Sequence, residues 1–276
     1  MNKYLLLALP CLMFTALNDA TAQNGLPPMA GARGMAMGNA SVTFRDINSA
    51  FSNQAGLAHL EGMAFTLGAE RRFLLADINS YSAAFAYPTQ SGTFGLALNY
   101  FGFSAYNEQR IGLAYGRKLL DNLSIGAQVD YLSTRIEEYG NTSNVTFEVG
   151  LQATLLKNAV LAAHVFSPIR QDIVTDEPIP TVLKVGIGYT PSDKVTLSAE
   201  MEKDIDFDPV FKAGIEYYIV DALALRTGFS SNPSQNSFGF GLRLKSGLHI
   251  DVAAAYHYQL GVTPMFSISY QAKNAQ

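Results

Sequence analysis

Asp204, Asp206 and Asp208 stand two residues apart, a spacing at which successive carboxylates can share a calcium ion. Pro209 occupies the place where a calcium loop needs glycine, and no glutamate stands at the twelfth position. A solvated acidic loop is the better reading. His249 and His257 share a polar face of one segment, and serines are plentiful, but no local motif joins serine, histidine and an orienting group. Cys11 is the only cysteine, and it falls in a leader expected to be removed. No catalytic residue, metal ligand or cofactor is expected, and an enzyme is not. A larger set alternates with apolar neighbours: Arg110, Asp130, Glu148, Lys184, Glu200, Lys212, Glu216, Arg226, Arg243, His249, Asp251 and His257. Such a set either lines a polar passage or pairs internally as a brace. Charges in a narrow, poorly solvated space must pair, which favours the brace.

The elements that position these groups repeat every two residues. Leu248, Ile250, Val252, Ala254, Tyr256 and Tyr258 fall on one side of an extended segment, and His249, Asp251, Ala253, Ala255 and His257 on the other. Val145 to Leu155, Leu123 to Tyr131, Val195 to Met201, Phe211 to Ile219 and Phe238 to Leu244 repeat the pattern. Segments of about 9–12 residues suit a strand tilted across a bilayer, whereas soluble strands usually run to about 5–6. About 14 such segments fill residues 63–270, an even number as bacterial barrels require. Short turns such as Pro88–Ser91 and Lys157-Asn158 alternate with longer connections such as Arg135–Ser143 and Ser167–Pro180. Tyrosines gather near strand ends, as in an aromatic girdle.

The expected fold is therefore all-β: a transmembrane antiparallel β-barrel of about 14 strands with a short N-terminal plug segment. A soluble β-sandwich would not sustain strands of this length and alternation. Lys3, an apolar run over Tyr4 to Leu17 and Ala20-Thr21-Ala22 read as a cleaved signal peptide, residues 1–22. The plug is assigned to residues 23–62 and the barrel to 63–276, in the outer membrane of a Gram-negative cell. Outer-membrane lipids and lipopolysaccharide are the expected surroundings, and the acidic loop has a loose divalent-ion contact with lipopolysaccharide as its functional counterpart. Charged residues make up 15% of the chain against about 25% in soluble domains, and the net charge is −4 with no basic run. Nucleic acid is not an expected partner. His164 alternates with Ala162 and Phe166 and reads as facing lipid near an interface.

Residues 23–60 do not alternate. They contain Ala32-Arg33, Met37-Gly38, Ala40 and Val42, then Asp46, then Asn53 and Ala55-Gly56-Leu57. This order resembles the opening of the FadL-like outer-membrane proteins, and most closely their PorV/PorQ branch, associated with type IX secretion. Asn39 stands where that pattern has a second glycine, and Gln54 where it has proline. The resemblance implies that the segment folds inside the barrel, with Arg33, Met37, Gly38, Asn53, Ala55, Gly56 and Leu57 as the plug motif. Gly31, Gly34, Ala36 and Gly38 are small enough for close approach to the wall. A barrel this wide cannot fill its lumen with wall side chains alone.

Two functions follow from the resemblance. The first is an accessory of protein secretion and surface assembly, meeting other secretion-system proteins through loop Ser167–Pro180, which Pro168, Pro178 and Pro180 stiffen. The second is uptake of hydrophobic small molecules, with Met35, Phe44 and Phe51 as candidate ligand contacts, supported by Met37 and Leu57.

Overall fold

The computed structural model describes residues 30–138, 140–169, 172–174 and 177–272. The expected signal peptide and the first residues of the expected plug lie outside these. Seven strands come first: β1 (Ala64–Arg71), β2 (Asn79–Thr89), β3 (Gly92–Gly102), β4 (Tyr106–Leu120), β5 (Leu123–Ile136), β6 (Gly140–Leu156) and β7 (Ala159–Phe166). A small hairpin, β8 (Asp172–Val174) and β9 (Glu177–Pro178), sits in the connection that follows. Then come β10 (Val182–Ser192), β11 (Val195–Asp204), β12 (Val210–Val220), β13 (Leu223–Ser230), β14 (Gln235–Arg243), β15 (Leu248–His257) and β16 (Gly261–Gln271).

Fourteen of these strands close into one antiparallel barrel, each paired with its neighbour in chain order, with β7 beside β10 and β1 beside β16. Closure leaves no barrel strand with an unpaired edge, as lipid demands. Phe65 and Tyr270 face each other across the closing seam with their rings 5.6 Å apart.

The period-two pattern is the physical cause of the wall. Phe238 is 60% exposed on the outside, whereas Glu148 is 1% exposed on the inside. Exposed aliphatic and aromatic residues cover the exterior of all the barrel strands, an apolar belt that belongs in the outer membrane. Tyr81 and Tyr100 pair at one end of the belt, and Phe94 and Tyr115 at the other, forming two aromatic girdles. Two-residue turns at 90–91, 121–122, 157–158, 193–194 and 221–222 mark one end as periplasmic. The connections at the other end are longer and face outward.

The strands differ from the sequence reading mainly at β5 and β6. Arg135–Ser143 reads as a loop, yet the pairing runs on to Ile136↔Gly140. Above the lipid both faces of this hairpin are polar, so no hydrophobic period reveals it.

Residues 30–60 lie inside the barrel as a plug. A short helix, α1 (Gly31–Ala36), packs against β13 to β16, and Met35 and Ala36 meet Ala253, Ala255 and Met265. Two 3-10 turns follow, Ile47–Phe51 and Gln54–His59. Asp46 starts the first by accepting from the Asn48 amide, and Asn53 starts the second by accepting from the Ala55 amide. Phe51, Leu57 and Ile47 pack with lumen-facing alanines of β1 to β4.

Candidate functional site

The plug docks where the wall lacks side chains. A Cβ on Gly228 would lie 2.0 Å from the Gly38 amide nitrogen, and one on Gly214 would lie 2.5 Å from the Met37 carbonyl oxygen. Gly126 meets the Ala55 amide at 2.2 Å and Gly150 meets Asn53 Oδ1 at 2.0 Å by the same measure. Any larger residue at these positions would push the plug backbone away. Asn53 Nδ2 donates to the carbonyls of Val42, Leu151 and Ala163 at 3.0, 3.2 and 3.3 Å, tying plug to wall. Both departures from the family pattern have local reasons. Asn39 has φ 61°, a left-handed conformation that favours glycine and that asparagine tolerates. Gln54 donates from Nε2 to Glu148 at 2.7 Å, a bond proline could not make.

Lumen charges form three groups. In the first, Arg33 of the plug bridges Asp46 at 2.5 Å and Glu216 at 2.7 Å, and Arg226 bridges Glu216 and Asp251 at 2.6 Å each. Burial works against the Arg33 charge, but Glu216 and Asp46 outweigh it and raise the guanidinium well above its ordinary value. In the second, Arg110 pairs with Asp130 and Glu148, and Glu148 also holds Gln54 and, at 2.8 Å, His164. In the third, Lys212 bridges Glu202 at 2.6 Å and Glu200 at 3.5 Å, and Lys184 bridges Glu202 at 3.3 Å. Glu200 Oε2 accepts from the amides of both Ser41 and Val42 at 2.8 Å.

Thus Arg110, Asp130, Glu148, Glu216, Arg226 and Asp251 lie in paired networks that touch the plug. Arg243 does not: it is exposed at the periplasmic rim, where Nη2 donates to the Tyr218 hydroxyl at 2.5 Å. His257 stands at the outer turn, where Nδ1 accepts from two backbone amides. His164 faces the lumen, not lipid. On β7 the inward residues Ala162 and Phe166 are as apolar as the outward Leu161 and Val165, so the strand's phase cannot be read from polarity.

The plug separates two cavities, with no residue lining both. The outer one, of about 330 Å³, is lined by Met35, Phe73, Phe166, Met265 and the Arg110 and Lys184 groups. The inner one, of about 840 Å³, opens toward the periplasmic turns and is lined by Arg33, Phe44, Arg45 and wall hydroxyls. On β10, Lys184 lines the outer cavity and Gly188 the inner, and Gly186 between them meets the side chain of Val42. The partition at this wall is therefore the plug turn that Glu200 holds. Met35, Phe44 and Phe51 do not converge. Met35 lines the outer cavity, Phe44 lines the inner one beneath the Arg33 guanidinium at 4.3 Å, and Phe51 is buried in the plug core. The plug chain crosses the lumen between them.

Among the described residues the nearest approach to a nucleophile and base is Ser124 Oγ, 3.2 Å from His59 Nε2. Burial, with the Arg45 and Lys118 cations nearby, pushes His59 down to about 4, leaving it a weak base. Among the described residues no carboxylate pairs with its ring and no His/Cys/Asp/Glu group is arranged to hold a metal ion.

The residues that sequence reasoning passed over as plug contacts are the wall glycines, Glu200 and Gln54. The one available signal is glycine recurring on the polar face of successive strands.

No sequence-family model matches the chain, and no curated protein sequence matches it. Solved structures do. The toluene transporter TbuX of Ralstonia pickettii superposes with a TM-score of 0.70 at 15% identity, over 90% of this chain and 99% of that one. The toluene transporter TodX of Pseudomonas putida gives 0.69 at 15% identity, over 89% and 97%. A Pseudomonas aeruginosa FadL homologue gives 0.64 at 14% identity, over 88% and 98%. The fold is that of the FadL-like outer-membrane barrels. The likeness does not single out the PorV/PorQ branch.

Proposed function

We propose that this barrel is an outer-membrane channel for the uptake of small hydrophobic molecules. One observation carries the reading: an outer cavity of about 330 Å³, within the size range of small-molecule sites, leads down to Met35 and Met265 at the plug. The neighbours described as toluene transporters share this fold, which supports the reading. A molecule leaving lipopolysaccharide would rest against the methionines, phenylalanines and prolines of this cavity. It would pass to the inner cavity when the Asn39–Thr43 turn gives way. The secretion-accessory alternative rests on the resemblance of the plug motif, with loop Ser167–Pro180 as its expected contact, and residues 170–171 and 175–176 of that loop lie outside the described residues. Those motif residues are spent on docking the plug, which either function requires.

The test is saturable uptake of radiolabelled toluene by intact cells making the protein, against cells making the Met35→Arg variant. Uptake should rise severalfold over cells without the barrel and fall back in the variant. Equal rates in all three, with the protein present and heat-modifiable in the outer membrane, would sink the proposal.

A further inference from the structure

Charge is shared unevenly across the plug. Below it, Arg45 donates from Nε to Gln152 Oε1 at 3.2 Å and from Nη2 to Thr154 Oγ1 at 2.7 Å, both neutral acceptors. Arg243 at the rim reaches the Tyr218 hydroxyl, and among the described residues neither arginine has a carboxylate within 4.0 Å. Above the plug the surplus has the opposite sign. Arg72, Arg110, Lys184 and Lys212, the cations lining the outer cavity, are each paired with a carboxylate. Glu70, Asp130, Glu148, Glu200 and Glu202 take up those pairings, and Asp204 is left over.

Asp204 ends β11 at the wall of the outer cavity and is 4% exposed. Its Oδ1 accepts from the Asp206 amide at 3.2 Å, which shapes the turn toward β12. Its Oδ2 is buried without a hydrogen-bond partner, and among the described residues no lysine, arginine or histidine lies within 4.0 Å of the carboxylate. A buried carboxylate oxygen with no donor is costly, so anything that brings a donor there is favoured. The strand register sets apolar surface beside it. Asp204 faces Val182 on β10, Val182 faces Phe166 on β7, and all three line the outer cavity. Val182 and Phe166 are half-buried, so part of each side chain stays open. Neighbouring strands lie about 4.8 Å apart, which puts Asp204 and Phe166 about 10 Å apart along one row of the wall. In the next row Lys184 faces Glu202 and is already paired with it.

We infer that the outer cavity takes a small organic amine, its ammonium held by Asp204 and its apolar body laid along Val182 and Phe166. An ammonium supplies both a donor for Oδ2 and a counter-charge for the carboxylate, and such a charge-assisted bond is roughly twice as strong as a neutral one. A metal ion suits the place less well. Asp206 and Asp208 are exposed in the turn, and among the described residues no His/Cys/Asp/Glu group is arranged to hold one. The site deepens the uptake reading by naming a class of molecule received at the outer end, and it rests on that reading only for onward passage.

The probe is 4-fluorobenzylamine, with 4-fluorotoluene as the control that carries a methyl in place of the aminomethyl group. Both are titrated by fluorine NMR against the purified full-length protein in a nonionic detergent at neutral pH. The wild type should bind the amine at least tenfold more tightly than the control. Asp204→Asn keeps an oxygen for the Asp206 amide and should remove that preference. Val182→Lys leaves Asp204 in place, sets a competing ammonium directly opposite it, and should remove the preference as well, which keeps the test valid if Asp204→Asn disturbs the turn. No preference in the wild type, or a preference undiminished in both variants while they remain heat-modifiable, would overturn the inference. Calcium chloride displacing the amine at a concentration below that of the amine itself would overturn it in favour of a metal ion. Toluene uptake by cells making the wild type separates the two claims: uptake without amine preference ends the site alone, and amine preference without uptake ends the channel reading alone.

Discussion

Glu200 holds the partition between the cavities, and replacing it with alanine should loosen that partition selectively. Its Oε2 accepts from the Ser41 and Val42 amides at 2.8 Å each. Hydrogen bonds to a charged group contribute about 1.5–3 kcal/mol apiece. Two at the low end amount to about 3 kcal/mol of local stability, and each 1.4 kcal/mol is roughly tenfold in an equilibrium, so opening of this turn should rise by roughly 10²-fold. Lys212 keeps Glu202 at 2.6 Å, so the variant does not strand a buried cation. Hydrogen exchange read by mass spectrometry on peptides covering 39–43 should accelerate by about that factor. Peptides covering 54–59 and the wall strands should not. Unchanged exchange at 39–43, or acceleration spread through the whole barrel, would refute the assignment of Glu200 as a local latch.

Gly228→Ala places a Cβ where the Gly38 amide nitrogen lies 2.0 Å away, and overpacking of this kind costs about 1–3 kcal/mol. The plug should become cleavable by trypsin at Arg33 or Arg45 while the barrel keeps its heat-dependent gel mobility; full protection would contradict the docking geometry. Glu216→Ala takes their shared carboxylate from Arg33 and Arg226, which keep Asp46 and Asp251, and the charge-assisted hydrogen bonds lost contribute about 1.5–3 kcal/mol apiece. The temperature at which the barrel unfolds in SDS should fall, and an unchanged temperature would show the network to be dispensable. His59, in the plug, is pushed down to about 4 by burial and by Arg45 and Lys118, against an ordinary value of about 6.5. The folded state binds that proton less readily than the unfolded one, so the stability from neutral His59 is whole above about pH 6.5 and declines as pH falls toward about 4. A titration of its ring by NMR should show the low midpoint, and His59→Gln should flatten the acid side of the stability curve.

The wall was legible because lipid outside and polar contents inside impose opposite demands on alternate residues, and only within the membrane. At β5 and β6 the strands continue past the lipid, both faces meet water, and Arg135–Ser143 loses the period while keeping the pairing. At β7 both faces are apolar, so His164 looked outward in sequence and points inward in space. Plug docking was hidden differently. Glycine and alanine satisfy the pattern alike on a lumen face, and only the approach of the plug backbone distinguishes Gly126 or Gly228 from Ala253.

The motif residues show why function was harder to read than fold. Arg33, Gly38 and Asn53 are occupied in seating the plug: one pairs with Glu216, one fits beneath the Phe229 backbone, one binds three carbonyls. A residue so committed reports that a plug exists, not what passes it. What a molecule in the lumen would meet is set by uncommitted groups, Met35 above the plug and Arg45 below it. Met35 offers dispersion contacts to an apolar molecule, whereas Arg45 and Arg243 offer charge without a counter-ion.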